Sequence, residues 1–583
     1  MLSLTTLPLL VLLPPAVAAF LAGASSRSLV PNPGLVARWT VRLGLTLSLI
    51  AAGAILVRLP PTGIVDLTLW RLDSQLPVTL QFGVGGLGLA AMVLAAALVV
   101  SFSAGDRRPL VSSALAVAAL GGVLAAMSGG LLSLFVGLQL SAVGGIGISY
   151  ARSPRAASHR IVWAAVADQG VAVIWLGAVV ALYHSAGTVQ FSDIPTSSIN
   201  FVLAVILLVP AVVRLSSAGL LLGSAPGAEG ARALDLADWL SVVAVPTSLV
   251  ILLRDLQLSG GVWPSHAFGT MLDAVGLTAA LAIAVVVLIR RRPGGEVGAL
   301  LVVAVALTFL GFGSNSPAGT ELGVGAGLFL ELLAAFLPRA LATTSQGLRS
   351  DTQRGQWASV ALRAVILAAG SPVSLAFTAC LLGLSLGLHA GGLAGLMPTL
   401  GYGGCLFSLC LLIPLLLRLR GGGYSWRNSF LLLPGGLLAA GAIAGGWILT
   451  GPVAAIAFSG ATAPVPITSP DPLSVQIPGI LYPQGYVALL ALLLLLALGA
   501  VRYAAGATVW PRWDYSASLE GPAEAMLRPF RIDLDLSRWT RRLSRVGRAV
   551  TLGLDLSERE LAERPIWFWL ATTAAVAWLM AQR

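Results

Sequence analysis

Charged side chains lie inside stretches of this sequence that are otherwise apolar. Arg214 stands within residues 209–223 (VPAVVRLSSAGLLLG), part of a segment long enough to cross a bilayer. A charge at the bilayer centre costs about 2.5–3.5 kcal/mol on insertion scales, and such residues face the bundle interior, pair with one another and mark ion or proton paths. Arg214 therefore needs a buried partner. We expect this partner to be Asp168, with Asp235 and Asp238 as further candidates.

Two roles are open for Arg214. As a fixed cation it could polarise a chain of water molecules, because arginine stays protonated at any physiological pH. The alternative is a buried ion pair that serves packing alone. Removing one member of such a pair strands a buried charge at a cost of about 3–5 kcal/mol, so retention of the pair does not by itself indicate conduction.

Two further residues could carry protons. Glu331 lies in another apolar segment, and its alternative role is an ion pair with Arg339, two helical turns further on, or with a neighbouring helix. His389 lies at the end of a predicted span. Its imidazole could titrate near neutral pH, or it could be a helix-end residue without a special role.

The composition is that of a polytopic membrane protein. Of 583 residues, 57% are hydrophobic and 10% are charged, against roughly 25% charged residues in soluble domains. All 35 basic residues are arginine, so no side chain is a titrating amine. Three cysteines and four scattered histidines form no metal, haem or iron–sulfur pattern, so we expect no cofactor in this chain. The net charge of +11 needs no nucleic-acid partner, because membrane topology and anionic lipids explain it.

Sixteen membrane spans are predicted from apolar runs of about 17–25 residues. They lie near residues 3–22, 40–58, 79–102, 110–128, 130–150, 161–183, 199–222, 238–254, 269–290, 297–314, 322–342, 372–389, 402–418, 428–450, 484–504 and 565–581. Every second loop is rich in arginine, and the positive-inside rule places those loops in the cytoplasm. Both termini then lie outside the cytoplasm, and the regular alternation supports the count of sixteen.

The segment 505–564 differs from the predicted spans. Apolar residues recur every three or four positions between Ile532 and Val550, and arginines fill much of the remaining face. This pattern predicts a basic amphipathic helix. It could lie on the membrane surface or against a partner subunit before the final span returns through the membrane.

Several stretches together resemble the antiporter-like subunits of respiratory complex I. Residues 131–154 (LLSLFVGLQLSAVGGIGISYARSP) look like the fifth helix of those subunits, and residues 160–194 are similar to the helix that follows. The same subunit type recurs in membrane-bound hydrogenases, formate hydrogenlyases, multisubunit cation/proton antiporters and some inorganic-carbon uptake systems. Residues 512–530 (from RWDYSAS to PAEAMLRPF) resemble the tail of the large antiporter-like subunit of hydrogenase-4 and formate hydrogenlyase. The core of the resemblance covers roughly residues 80–420.

The resemblance implies an all-α polytopic fold with two inverted five-helix repeats, each with one helix broken in mid-membrane. Pro210, Ser216 and Ser217 would soften the seventh helix, and the glycine-rich stretch 388–398 would break a helix of the second repeat. The expected divisions are N-terminal spans (1–78), a first repeat (79–255), a second repeat (256–420), C-terminal spans (421–504), the amphipathic segment (505–564) and a terminal span (565–583).

In the family, a proton path runs through a glutamate on the fifth helix, a lysine on the seventh, and lysines or histidines on the eighth, eleventh and twelfth helices. A buried lysine suits this relay because desolvation lowers its pKa, so that it can load and release a proton. Here these positions match Gln139, Arg214, Trp239, Glu331 and Thr399 in turn. Gln139 could satisfy backbone groups or take part in the path, but most of the switchable carriers are replaced.

The resemblance implies a membrane subunit of a complex I-like or group 4 hydrogenase-like assembly that takes part in proton or cation translocation coupled to redox chemistry in partner subunits. The expected partners are other membrane subunits, a peripheral iron–sulfur, flavin or nickel–iron module, and lipids of the inner (cytoplasmic) membrane. Because the lysine relay is replaced, a weakened or inactive channel is one alternative. The others are a non-conducting scaffold that anchors a peripheral module and a proton-coupled partner of an inorganic-carbon uptake complex.

Overall fold

The computed structural model of this chain consists mostly of helices. It describes residues 9–26, 32–58, 65–71, 77–103, 108–152, 159–216, 239–259, 263, 265–289, 296–314, 320, 323–327, 330–331, 333–334, 375–390 and 392–418. All of these belong to Met1–Tyr503, the first of two compact units, of which the second is Ala504–Arg583. The amphipathic segment and the last three predicted spans lie outside the described residues.

Twelve α-helices in the described part follow the order of the predicted spans. They are α1 (Leu9–Ser25), α2 (Pro33–Arg58), α3 (Val84–Ser103), α4 (Pro109–Ala126), α5 (Leu131–Arg152), α6 (His159–Ala186), α7 (Phe201–Ser216), α8 (Val245–Leu258), α9 (His266–Ile289), α10 (Glu296–Gly313), α11 (Leu375–Ala390) and α12 (Gly392–Arg418). A π-helix, Leu240–Ala244, leads into α8, and a 3-10 helix, Thr196–Ser198, precedes α7. Helical residues at 323–327 and 330–331 lie within the eleventh predicted span.

Six of the described helical segments are long and apolar enough to cross a membrane. They are Pro33–Val57, Pro109–Ala126, Leu131–Ile148, Asp168–Ala186, Ala267–Val287 and Gly395–Ile413. Four shorter apolar helices are Leu9–Ser25, Gly85–Leu98, Phe201–Leu215 and Gly298–Gly313. This is the architecture of a multi-pass membrane protein, while the total of sixteen spans stays a prediction.

A β-hairpin between α2 and α3 corrects the all-α prediction. Strand β1 (Val65–Arg71) pairs antiparallel with strand β2 (Pro77–Phe82). The sequence VDLTLWR alternates apolar and polar residues over its first five positions, which is the period of a strand rather than of a helix. The third predicted span near 79–102 therefore starts too early, because α3 begins only at Val84.

Hydrogen bonds place several connections of the described helices at two opposite ends of the bundle. Residues 127–130 join α4 to α5 at what we call the turn end. There, Met127 accepts a hydrogen bond from Gln81 of the hairpin (2.8 Å), and Leu131 donates one to Val189 in the α6–α7 loop (2.8 Å). At the other end, Arg108 donates to the carbonyl oxygen of Ala151 (2.9 Å). The arginines that flank α4 and α5 thus lie at the end opposite the turn.

Helices α4 and α5 approach one another closely because glycines line their contact. A Cβ atom placed on Gly121 would lie 2.7 Å from the carbonyl carbon of Leu140, and one on Gly137 would lie 2.8 Å from Cα of Ala125. Small residues allow this backbone approach in membrane helices, where van der Waals packing drives association. Helices α1, α2, α3 and α8 pack against α4, and α6 packs against α5.

We expect Gly121→Val to lower the free energy of unfolding by about 1–3 kcal/mol. The added atoms collide with the backbone of α5, which cannot rotate away as a side chain could. The measurement is the thermal unfolding midpoint of the protein purified in detergent. Gly177→Ala in α6 is the matched control, since nothing lies within 4 Å of an added Cβ there. An unchanged midpoint for Gly121→Val would contradict the close α4–α5 contact.

The glycine-rich stretch 388–398 reverses the chain instead of interrupting one helix. Helix α11 ends at Ala390 and α12 starts at Gly392. The two helices pack side by side: Gly383 meets the ring of Tyr402, and a Cβ on Gly387 would lie 2.8 Å from the backbone nitrogen of Thr399. Residue numbers increase along α11 while those of the contacting residues decrease along α12. The two helices are therefore antiparallel. The prediction of a helix broken in line at this point is wrong.

Candidate functional site

Arg214 and Asp168 form a buried ion pair between α7 and α6. The Nη2 atom of Arg214 donates to Oδ2 of Asp168 at 2.9 Å, and Nε donates to Oδ1. Each residue is only 3% exposed. This two-point geometry is the one in which arginine binds a carboxylate most strongly. The prediction that Asp168 is the partner of Arg214 is confirmed.

Thr247 on α8 is a third member of the network. Its hydroxyl accepts a hydrogen bond from Nη1 of Arg214 (2.6 Å) and donates one to the carbonyl oxygen of Val243 (2.5 Å). The guanidinium therefore joins three helices. Sequence reasoning did not find Thr247, because a threonine in an apolar helix ordinarily bonds only to its own backbone.

A local irregularity at the start of α8 accompanies the position of Thr247. Pro246 has no N–H group, so it cannot close the helical hydrogen bond to the turn before it. The preceding turn is the π-helix Leu240–Ala244, a wider form that recurs at functional sites. Trp239, just before this turn, is buried against α5, where a Cβ on Gly145 would lie 2.6 Å from the indole ring. The indole thus fills the space between α5 and the start of α8.

In the described part of the chain, Gln139 and Glu331 do not join this network. Gln139 on α5 is buried, and its Oε1 accepts no hydrogen bond from any described residue, so this oxygen does not satisfy a backbone group. Asp235 and Asp238 lie outside the described residues, as does Arg339, the suggested partner of Glu331.

Glu331 is a separate buried carboxyl group. It is 3% exposed, and neither of its oxygens has a hydrogen-bond partner among the described residues. Gly327, four residues earlier, lies against α10, since a Cβ on Gly327 would lie 2.9 Å from the carbonyl oxygen of Ala304. The backbone of His389 belongs to the last turn of α11, and its side chain lies outside the described atoms.

Three charged residues were not singled out from the sequence. Arg254 and Asp255 are buried near the end of α8. Asp273 on α9 lies against Gly313, where an added Cβ would come within 2.6 Å of its carboxyl carbon, and its Oδ1 has no partner in the described part of the chain. The signal that identified Arg214, a charge inside an apolar run, was also present at these positions. The predicted eighth span ends at residue 254, so the sequence pattern places Arg254 and Asp255 at a span boundary.

The arrangement separates a fixed charge from groups that can titrate. Arg214 keeps its proton, so it can orient water and anions but cannot relay protons. Asp168 is the carboxyl group of this network, and its two oxygens accept hydrogen bonds from Arg214. Among the described residues, no group of three or more histidine, cysteine or acidic side chains is placed to hold a metal ion.

We expect Thr247→Val to cost about 1–3 kcal/mol of stability, because it leaves one N–H of a buried guanidinium without its acceptor. Unfolding in detergent measures this difference. Ser248→Ala is the matched control, since among the described residues the Ser248 hydroxyl bonds to the Ala244 carbonyl, one turn earlier along the same segment (2.5 Å), and to no other helix. Equal effects of the two substitutions would contradict a structural role for the bond between Arg214 and Thr247.

Known proteins that share this architecture are membrane subunits of respiratory and transport complexes. No family model and no curated protein matches the chain. A chain of the Mrp complex from Dietzia sp. DQ12-45-1b is 16% identical with a TM-score of 0.63; the match covers 94% of this chain, which spans 63% of the length of that one. A chain of respiratory complex I from Thermus thermophilus is 16% identical with a TM-score of 0.54, over 75% of this chain and 98% of that one. The likeness to antiporter-like membrane subunits is therefore confirmed at the level of the fold.

Proposed function

We propose that this chain is a membrane subunit of a multisubunit assembly and takes part in moving protons or other cations across the membrane. The observation that carries the proposal is the buried network of Asp168, Arg214 and Thr247, which joins three helices. Residues of this kind inside a membrane bundle are costly and mark ion pathways. The sequence resemblance supports the proposal, because it aligns Arg214 with the lysine that the resembling subunits carry on their seventh helix.

The proposed path uses carboxyl groups in place of amines. Asp168 exchanges its proton with water while Arg214 remains charged and holds the carboxylate in place. The further proposed members are Gln139, Asp235, Asp238, Glu331 and His389. In this scheme the lack of lysine lowers the number of carriers, so the subunit conducts more slowly than one with a full relay.

The proposed topology has sixteen spans in two inverted repeats, with the domain boundaries given above. The arginine-rich loops face the cytoplasm of the inner membrane and the turn end faces the opposite side. Both termini then lie outside the cytoplasm, and anionic lipids contact the basic loops.

The proposed assembly is complex I-like or group 4 hydrogenase-like, with redox chemistry in its partner subunits. The tail resemblance at 512–530 supports this choice. The test is the subunit list after mild purification from native membranes. Flavin, iron–sulfur or nickel–iron subunits would support it, whereas a zinc-binding partner would support inorganic-carbon uptake instead.

A non-conducting scaffold is the second candidate, and the permanent charge of Arg214 favours it. Reconstitution of the purified assembly into liposomes separates the two functions. Proton flux that rises with an imposed gradient, above that of empty liposomes, supports translocation. If liposomes that contain the intact assembly are no more permeable to protons than empty liposomes, the result supports the scaffold.

A further inference from the structure

The end of α8 carries a second pair of buried charges. Arg254 and Asp255 are 3% and 4% exposed. Arg254 donates from Nη1 to Oε1 of Gln257 (2.7 Å) and from Nη2 to the carbonyl oxygen of Ala126 (3.2 Å), and its guanidinium carbon lies 4.9 Å from the ring centre of Phe191. These contacts fix the guanidinium over the residues at which α4 ends, at the turn end of the bundle.

Several buried polar atoms at this end of the bundle have no partner among the described residues. Among the described residues, Arg254 Nε, Asp255 Oδ2, Thr79 Oγ1 and Ser128 Oγ are buried and make no hydrogen bond. Thr79 and Ser128 both belong to the turn end: the carbonyl oxygen of Thr79 accepts from Gly129 (3.0 Å), and Ser128 bridges to Leu80. Buried polar atoms are nearly always satisfied by protein or by ordered water. Four of them on three elements at one end of the bundle mark a site that binds water.

Capping of the C-terminal end of α4 explains why Arg254 is buried there, but it does not explain the burial of Asp255. A cation near the last carbonyl groups of a helix is stabilised by the helix dipole, which accounts for Arg254. The same dipole does not account for Asp255, whose Oδ2 makes no hydrogen bond within the part of the chain that the structure describes. A buried carboxyl group that contributes nothing to the cap and has an open acceptor is placed for exchange with water.

The same helix connects this site with the Asp168–Arg214 pair. Thr247 and Ser248 are followed seven residues later by Arg254 and Asp255, and all four are buried. Seven residues are about two helical turns and about 10 Å, so each polar residue returns to nearly the same face of α8. Polar groups therefore extend from the network in the bundle interior to the turn end.

We propose that Arg254 and Asp255, with Thr79 and Ser128, form the hydrated outlet of the ion path at the turn end. A proton that leaves Asp168 travels through water along α8 and binds a carboxylate oxygen of Asp255. It is then released from that oxygen to bulk water, so the O–H bond that forms at Asp255 is the one that later breaks. Arg254 keeps its proton throughout and holds the water in place. This inference rests on the proposed translocation function.

The first test is proton flux in liposomes that contain the complete purified assembly. We expect Asp255→Asn to lower the flux by about 100-fold, since a single proton-transfer group commonly contributes about 10²–10⁴-fold, and Asp255→Glu to retain most of it. Asp193→Asn is the matched control, because Asp193 is an exposed acid at the same end of the bundle and should leave the flux unchanged. Wild-type flux in Asp255→Asn, while Asp168→Asn abolishes it, would overturn the outlet and leave the proposed function standing.

The second test measures hydration without measuring conduction. The assembly in nanodiscs is treated with methanethiosulfonate ethylsulfonate, a small anion that does not cross lipid, and labelling is quantified residue by residue by mass spectrometry. Ser128 and Ala119 are both fully buried, but only Ser128 lies at the proposed hydrated site, whereas Ala119 lies two turns before the end of α4. We therefore expect Ser128→Cys to react at least about tenfold faster than Ala119→Cys. Equal rates would overturn the hydrated outlet even if Asp255→Asn failed to assemble. Labelling of Ser128→Cys in an assembly without proton flux would show a hydrated site but overturn the proposed function, and with it the role of this site as an outlet.

Discussion

We expect Arg214→Gln to lower the free energy of unfolding by about 3–5 kcal/mol, because the substitution leaves the Asp168 carboxylate buried without its cation. It also removes two of the hydrogen bonds that reach Asp168 and the one that reaches Thr247. Glutamine cannot span the same three helices with its single amide. The measurement is denaturant or thermal unfolding of the protein purified in detergent.

A double substitution separates charge burial from packing. Asp168→Leu with Arg214→Met removes both charges, and apolar replacement of a buried ion pair is often neutral or stabilising. We therefore expect the double variant to be more stable than Arg214→Gln. Arg108→Gln is the control for an exposed arginine, since Arg108 bonds to the Ala151 carbonyl at the bundle end and should cost less than about 1 kcal/mol. Equal losses for Arg108→Gln and Arg214→Gln would contradict a buried pair.

The sequence predicts the Asp168–Arg214 pair because the bilayer leaves few options. A charge in a long apolar run has to find an opposite charge within the bundle, and the neighbouring predicted span offered Asp168. The order of the helices and the alternation of their connecting loops follow from the same logic, since apolar length and arginine position are both fixed by the membrane.

Other features depend on contacts that have no strong local pattern. Thr247 becomes a ligand of Arg214 only through the geometry of α8 after the π-helix and Pro246. The β1–β2 hairpin alternates apolar and polar residues over too few positions to compete with the long apolar runs beside it. Asp273 meets Gly313 across two helices, and that contact depends on how α9 and α10 pack. Such pairings are tertiary, so composition and spacing do not encode them.

The charged residues of the bundle fall into two classes: arginines, which keep their proton, and acids and histidines, which can exchange one. Arg214 and Arg254 are permanently protonated. Arg214 forms an ion pair with Asp168, and Arg254 directly precedes Asp255 in the sequence. A chain without lysine can move protons only through its acids and histidines, with arginines as fixed charges. We therefore expect substitutions that remove a carboxyl group from the bundle to lower proton flux more than substitutions of its arginines.

Asp168→Asn is expected to lower proton flux through the reconstituted assembly by about 100-fold, because it removes the titratable group of the network and keeps an acceptor for Arg214. The variant is compared at equal amounts of assembly that elute intact in size-exclusion chromatography. Asp168→Glu restores a carboxyl group with one additional methylene and should recover part of the flux. Glu331→Gln tests the second half of the path in the same way, since Glu331 is buried and unpaired among the described residues.

The pattern across these variants distinguishes conduction from scaffolding. If Asp168 carries protons, loss of the carboxyl group abolishes flux while an arginine substitution that keeps the fold lowers it less, because Arg214 only positions the carboxylate. If the pair serves packing alone, Asp168→Asn and Arg214→Gln both destabilise the assembly, and the intact fraction of each conducts like the wild type. Flux normalised to intact assembly therefore decides between the two roles, since a structural ion pair changes the amount of folded protein but not the rate at which each folded copy transports.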